Sequence, residues 1–301
     1  MHRDAVIVVR AGLHTTVQDG GRWGYQHLGV PVGGALDTEA LRRANALVGN
    51  AAEEAGLEFT LVGGTLRAAF PLHVAVTGAR FEVTINGVPA SRDTALRLAA
   101  GDALTLGTRR DGARAYVAVR GGLDVPVVLG SRSAWPMLPR RGALRDGAVL
   151  DVGDRAIGPM LPGMWPSPAP SPVLRVVPGP EGHEAAAALA ALQAGTYVVA
   201  PTASRMAYPL EGPPVPLVAP TRASSGTVTG AIQVVPTGQP ILLMAERQTT
   251  GGYPVVAVVI TADLPHAAQL APGDPVRFTV CTRAEAMRAR LAQQDFGARP
   301  S

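Results

Sequence analysis

The 301-residue chain carries 27 basic and 23 acidic side chains, a net charge of +4 at neutral pH, 47% hydrophobic residues and only 4% aromatic ones. Histidine apart, every basic residue is arginine; without lysine the chain can offer no P-loop, no Schiff base and no attachment point for covalent biotin. The arginines are scattered, with isolated pairs such as Arg42-Arg43, Arg109-Arg110 and Arg140-Arg141, unlike the concentrated basic and aromatic face of a nucleic-acid binder.

No apolar run reaches the roughly 18 to 20 residues that span a bilayer, and the opening "MHRDAVIVVRAG" ends its apolar stretch at Arg10, short of a secretory signal core. The expectation is a cytoplasmic protein that binds neither membrane nor nucleic acid. Cys281 is the single cysteine, so an internal disulfide and a cysteine-built zinc site are excluded.

In chain order, short Val-, Leu- and Thr-rich runs punctuated by 35 glycines and 27 prolines read as strands joined by tight turns. The expected strands are Ala5–Val9, Leu57–Leu61, His73–Val76, Phe81–Ile85, Arg114–Val119, Ile241–Ala245 and Val255–Ile260, with Asn86-Gly87 as a hairpin turn. Helices are few. "DTEALRRANALVGN" begins at the N-cap Asp37 and stops at Gly49, with Leu41, Ala44 and Val48 on one face and Asn45 beside them. "EGHEAAAALAALQAG" and "RAEAMRARLAQQ" are the others. The segments "LAAGDALTLG", "GAVLDVGD" and "LAPGDPVRFTV" repeat a Gly-Asp turn beside an alternating apolar strand, a design that suits two related barrels.

Six prolines in "GPMLPGMWPSPAPSPV" predict a stiff, extended connection. The expected domains are therefore residues 1–160, a linker at 161–172, and residues 173–301. The fold class is mainly β, with a few short helices.

The six histidines have no metal-ligand spacing, and neither G-x-S-x-G nor H-E-x-x-H occurs; no metal site is expected. Three polar, glycine-punctuated stretches remain. The first, "HTTVQDGGRWGYQHLGVPVGGALD", presents Gln18, Asp19, Arg22, His27 and Asp37. Asp19 and Arg22 read equally as braces of a long loop, and Asp37 as a helix cap. A buried Asn45 must have its amide paired and would support that loop. The second, "SSGTVTGAIQVVPTGQPI", sets Gln233 in an apolar strand, either as a ligand group or as a satisfied structural amide. The third, "ERQTTGGY", lies between two apolar runs. Its glycines reach positive φ without steric cost and let backbone N–H groups approach a bound oxygen, and Glu246 can take or give a proton beside them. The candidate catalytic residues are His27, Asp37 and Glu246. The candidate substrate-binding residues are Gln18, Asp19, Arg22, Gln233, Gln248, Thr249, Thr250, Gly251, Gly252 and Tyr253. The arginines of "SRSAWPMLPRRG" and "SRMAYP", with Trp135 as anchor, are expected at a partner interface.

The stretches "TTVQDGGRWGYQHLGVPVGGALD", "RRANALVGN", "LEFTLVGGTL", "AYVAVRGGLDVPVVLGSRS", "GAIQV", "GQPILLMAERQTTGGYP" and "AQLAPGDPVRF" resemble the allophanate hydrolase subunit 2 family. That family is also known as KipA-like, or as the C subunit of 5-oxoprolinase, and it resembles the first half of the carboxyltransferase domain of urea carboxylase. The resemblance runs from about residue 5 to about residue 280. It implies two β-barrel subdomains, at least one cyclophilin-like, and a KipI-like partner protein. Three functions follow as expectations: a subunit of an ATP-dependent 5-oxoprolinase, half of a biotin-dependent carboxyltransferase, or a non-catalytic regulator that antagonises a kinase inhibitor. The first is preferred. It would use ATP with Mg at the level of the complex, act on a small molecule, and also involve a LamB/YcsF-like protein. Pro209 in "SRMAYPL" and Glu246 depart from the family's usual Arg and Asp, and "SSGTVTGAIQ" from its usual Ser-Glu-Gly; substrate or rate would differ if those positions touch substrate.

Overall fold

The computed structural model describes residues 4–135, 137, 142–180, 186–216 and 223–297. The chain divides into two compact units: 1–22 with 33–169, and 23–32 with 170–301.

In the first unit the elements are β1 (Ala5–Arg10), β2 (His14–Gln18), α1 (Thr38–Leu47), β3 (Gly56–Thr60), β4 (Thr65–Ala68), β5 (Leu72–Ile85), β6 (Val88–Pro89), β7 (Ala95–Leu98), β8 (Ala103–Val119) and β9 (Val149–Asp151). They form one nine-stranded sheet among the described residues, in the order β2-β3-β8-β4-β1-β9, with β5 pairing β6, β7 and β8. The sheet is open and curls as a half-barrel. His73–Val76 and Phe81–Ile85, read as separate strands, are one strand of 14 residues. Its pairing with β8 shifts register around Gly78, Arg80 and Phe81; such bulges bend a strand without ending it. Arg114–Val119 is likewise the end of the 17-residue β8.

Side chains alternate across these strands. Val74, Val76, Val117 and Val119 enter the main core with Leu57 and Phe59. The intervening Ala75 and Ala118 pack under Ala44, Leu47 and Val48 of α1, and Tyr116 packs under Ala40 and Leu41. Alanine at these facing positions lets the helix lie close to the sheet. Asp37 caps α1 by accepting from Ala40 N at 2.9 Å, and Gly49 ends it at φ 74°. Asn86 and Gly87 adopt φ 52° and 82° between the paired Ile85 and Val88, as a primed hairpin turn requires.

The Pro-rich stretch is not a free linker up to Ala169. Leu161 and Trp165 pack on the α1 cluster, Trp165 N donates to Asp93 O at 2.7 Å, and Ser167 Oγ donates to Asp93 Oδ1 at 2.6 Å. Prolines keep the segment extended, while the tryptophan and serine between them fasten it to the first unit. Conversely, Trp23–Val32, expected in the first domain, groups with the second.

The second unit contains β10 (Val173–Pro178), α2 (Ala186–Ala194), β11 (Tyr197–Val199), β12 (Ala207–Glu211), β13 (Ser225–Gly226), β14 (Ala231–Val234), β15 (Pro240–Leu243), β16 (Thr250–Gly251), β17 (Val255–Val259), α3 (Leu264–Ala268), β18 (Pro275–Val280) and α4 (Arg283–Gly297). The start expected for α2, residues 181–185, lies outside the described residues, as does His183. Seven strands close a barrel in the order β10-β17-β14-β15-β12-β11-β18. A ring with an odd number of strands cannot be antiparallel throughout, and the parallel pair is β10 with β18. Closure leaves no sheet edge to be covered. Leu174, Val176, Leu210, Ile232 and Phe278 are buried, and the Tyr197 and Phe278 rings meet at 6.0 Å and 52°. Thr282 and Glu285 form a reciprocal capping box at the start of α4.

Two of the three Gly-Asp segments are the same turn in different units. Asp102 accepts from Ala99 N at 2.7 Å, and Asp274 from Ala271 N at 2.8 Å. Gly101 and Gly273 precede them at φ 91° and 89°.

Gly78 has φ +83°, and a Cβ there would stand 2.5 Å from Arg114 O. Gly78→Ala should therefore cost about 2 to 4 kcal/mol in urea unfolding, combining left-handed strain with overpacking; a loss below about 1 kcal/mol would show that the bulge relaxes.

Candidate functional site

In the first unit the loop after β2 is pinned through Asp19. Its carboxylate accepts from Gly21 N at 2.8 Å, Arg132 N at 2.5 Å, and the hydroxyls of Ser131 and Ser133 at 2.7 and 2.5 Å. Four donors on two oxygens leave little capacity for a ligand, and the arrangement is a brace. Arg22 is buried, donates through Nη2 to Ser133 O at 2.5 Å and lies 5.6 Å from the centre of the Trp135 ring, a cation–π contact. Trp135 is half-buried against it rather than projecting as an anchor, while Arg140 and Arg141 lie outside the described residues. Gln18 is fully buried; its amide nitrogen donates to Thr16 Oγ1 at 2.9 Å, and its carbonyl oxygen has no partner among the described residues.

Behind the loop runs a buried relay that sequence reasoning missed. Asp37 N donates to the Tyr116 hydroxyl at 2.8 Å, which donates to Glu58 Oε2 at 2.8 Å; the same oxygen accepts from Leu36 N at 3.1 Å. Burial, then Glu58 and Asp37, push the Tyr116 pKa well up, so the phenol stays a donor. Asn45 supports the far end of α1: it donates to Glu54 O at 2.7 Å and accepts from Asn50 at 3.1 Å.

In the second unit, His27 is exposed on the short turn Gln26–Leu28, and no hydrogen bond or ion pair among the described residues reaches its ring. The stretches holding Gln233 and Gln248–Tyr253 converge. β13 and β16 form a two-stranded ribbon, Ser225 opposite Gly251 and Gly226 opposite Thr250. Beyond it Thr227 N donates to Thr249 O at 3.0 Å, and Thr227 Oγ1 bonds to Gln248 O. Gln233, buried in β14, donates to Tyr253 O at a long 3.5 Å. Neither Gly251 nor Gly252 is among the residues of positive φ, so the expected reason for these glycines is corrected: Gly251 is needed for space. A Cβ on it would lie 2.9 Å from Gln233 Nε2, 3.4 Å from Thr227 Cγ2 and 3.5 Å from Gln248 Nε2. Two amide nitrogens thus face the bare side of Gly251, while Gln248, Thr250 and Tyr253 stay exposed.

The charged members lie in the same segment. Glu246 Oε1 accepts from Arg205 Nε at 2.6 Å, with side-chain exposures of 16% and 7%. Arg205 is therefore an internal counter-ion rather than an interface residue. Arg247, which the sequence reading passed over, is buried; it donates to Thr229 Oγ1 at 2.7 Å and Thr227 O at 3.2 Å. Its Nε has no acceptor, and no carboxylate pairs with it among the described residues. Burial pushes its pKa down from the ordinary arginine value. Its placement inside "ERQTTGGY", in a chain whose only strong cations are arginines, was the available signal.

A family profile described as the carboxyltransferase domain, subdomain A and B, matches residues 28–280. The chain belongs to this family. A relative from Escherichia coli K12, named as the C subunit of 5-oxoprolinase, is 39% identical over 297 residues, covering 96% of this chain and 95% of that protein. A protein of the same name from Haemophilus influenzae is 33% identical over 290 residues, covering 93% of each. Among solved structures, the K. lactis urea amidolyase superposes with a TM-score of 0.91 at 26% identity, over 99% of this chain and 20% of that one. The protein TTHA0988 superposes with a TM-score of 0.84 at 35% identity, over 93% of this chain and 56% of that one.

The Arg205–Glu246 pair is shielded enough for its rupture to strand a charge. Arg205→Ala should lower unfolding free energy by about 3 kcal/mol, measured by denaturant titration; a loss below about 1 kcal/mol would mean that the pair is solvated.

Proposed function

We propose that this chain is the C-type subunit of a 5-oxoprolinase, opening 5-oxoproline to glutamate with ATP. The observation that carries the reading is the end-to-end match to the Escherichia coli relative named for that enzyme, 95% of which is covered, against 20% of the urea amidolyase. The donor-rich side of Gly251 suits a lactam, whose carbonyl oxygen accepts hydrogen bonds and gains negative charge as the ring is attacked. Phosphorylation of that oxygen by ATP, with release of ADP, would activate the ring carbon; one water adds and the C–N bond breaks to leave an acyl phosphate, and a second water releases phosphate to yield glutamate. On this reading ATP and Mg act in the assembled complex, with a KipI-like and a LamB/YcsF-like protein, in the cytoplasm. Glu246 is the one expected catalytic group in the same segment as the donors.

The carboxyltransferase reading draws on the fold shared with the urea amidolyase. It would require biotin on another chain, since this one has no lysine.

The deciding experiment is ATP-dependent glutamate formation from 5-oxoproline, measured for the purified chain and for the chain co-purified with its partners. Turnover is expected only from the complex. Turnover by the chain alone would contradict dependence on partners, and biotin-dependent carboxyl transfer without glutamate formation would replace the oxoprolinase reading.

A further inference from the structure

Arginine keeps its proton under all ordinary conditions, so a buried guanidinium needs compensation by charge or by several dipoles. Some other arginines of the chain have a carboxylate. Buried Arg205 faces Glu246 at 2.6 Å, half-buried Arg155 bonds to Glu54 at 3.1 Å, and exposed Arg175 faces Asp263 at 2.6 Å. Arg247 has only a carbonyl and a hydroxyl, on Nη2 and Nη1, and its Nε–H is buried without an acceptor among the described residues.

The surroundings of that charge are rich in donors. Thr227 connects them: its carbonyl holds Arg247 at 3.2 Å, and its methyl group is 3.4 Å from where a Gly251 Cβ would be. That same point lies 2.9 Å from the Gln233 amide nitrogen and 3.5 Å from that of Gln248. Of these two amides, Gln233 has one weak bond, at 3.5 Å. A guanidinium and two primary amides, one of them packed where a Gly251 side chain would be, make a donor set complementary to a small oxyanion. The absence of a side chain at Gly251 is what lets the Gln233 amide lie there, since a Cβ would displace it.

We infer that Arg247, with Gln233 and Gln248, recognises a carboxylate of the substrate, and that Gly251 sets the position of the Gln233 amide by leaving it room. The inference deepens the oxoprolinase reading and rests on it for the identity of the ligand: 5-oxoproline carries one carboxylate beside its lactam. A carboxylate is preferred to a phosphate because two of the five guanidinium N–H groups already hold Thr229 and Thr227. The remaining guanidinium N–H groups carry a single positive charge and the amides beside them are neutral, which suits a monoanion better than a dianion.

Two measurements test this. In the complex, Arg247→Gln should raise KM for 5-oxoproline by roughly 10- to 100-fold with little change in kcat. Gly251→Ala should raise KM in the same sense, and melting temperature checks the fold of both variants. If Arg247→Gln fails to fold, Gly251→Ala carries the kinetic test. Independently, in the purified chain with 15N-labelled arginine, the Nε–H resonance lost in Arg247→Gln should move on adding 5-oxoproline or acetate, and not on adding neutral 2-pyrrolidinone or sodium chloride. Unchanged KM in folded variants, a response to inorganic phosphate but to no carboxylate, or an equal response to 2-pyrrolidinone would each overturn the inference. A wild-type complex without oxoprolinase activity, but with the acetate response intact, would refute the functional reading and leave the carboxylate site standing. Normal kinetics in both variants would do the reverse.

Discussion

The second unit is organised around a positive charge that the protein buries and only partly compensates. Removing an ion from water costs several kcal/mol even after relaxation, and folded proteins normally offset that cost with an opposite charge at close range. Arg247 is instead held by Thr229 Oγ1 and Thr227 O, two neutral acceptors supplied by the segment that follows β13. The closed barrel provides the rigid support: β14 carries Gln233, and the stretches leading out of β15 and into β17 bring Glu246, Arg247 and Gly251 back to the same place. The neighbouring Arg205–Glu246 pair secures the backbone on which Arg247 is mounted.

The two polar clusters solve different problems. In the first unit Asp19 is saturated by four donors, and the Glu58–Tyr116–Asp37 relay satisfies its members in turn. Such networks fix a loop in one conformation and have little left to offer a ligand. Around Arg247 and Gly251 the Arg247 Nε–H lacks an acceptor and the Gln233 amide has one long bond, leaving hydrogen-bonding capacity that a small anion can fill. A polar loop and a binding loop look alike in composition, and the balance of donors against acceptors distinguishes them.

That balance explains what the sequence could disclose. Asp37 as a cap, Gly49 as a stop and Asn86-Gly87 as a turn were legible because each rests on bonds within a few residues. The long β5 was not, since Gly78 has the signature of a break and is a bulge held by the shape of β8. The Pro-rich segment read as a linker because its attachment depends on Asp93, more than 70 residues earlier. Asp19 was named as a candidate, but its partners Ser131 and Ser133 lie 112 and 114 residues away, so its bracing role could not be separated from a ligand role. The "ERQTTGGY" stretch reads as more than a turn, yet Gly251 serves by leaving room for the Gln233 amide rather than by φ, and Arg247 is buried against Thr227 and Thr229. Both depend on contacts from other strands, which the loop's local sequence does not carry.

The most direct test of a carboxylate held by Arg247 is a crystal structure of the assembled complex with 5-oxoproline bound. The ligand carboxylate should lie within hydrogen-bonding distance of Arg247 Nε and of the Gln233 amide nitrogen. Density for the ligand at any other position, with the Arg247 surroundings unchanged, would contradict it.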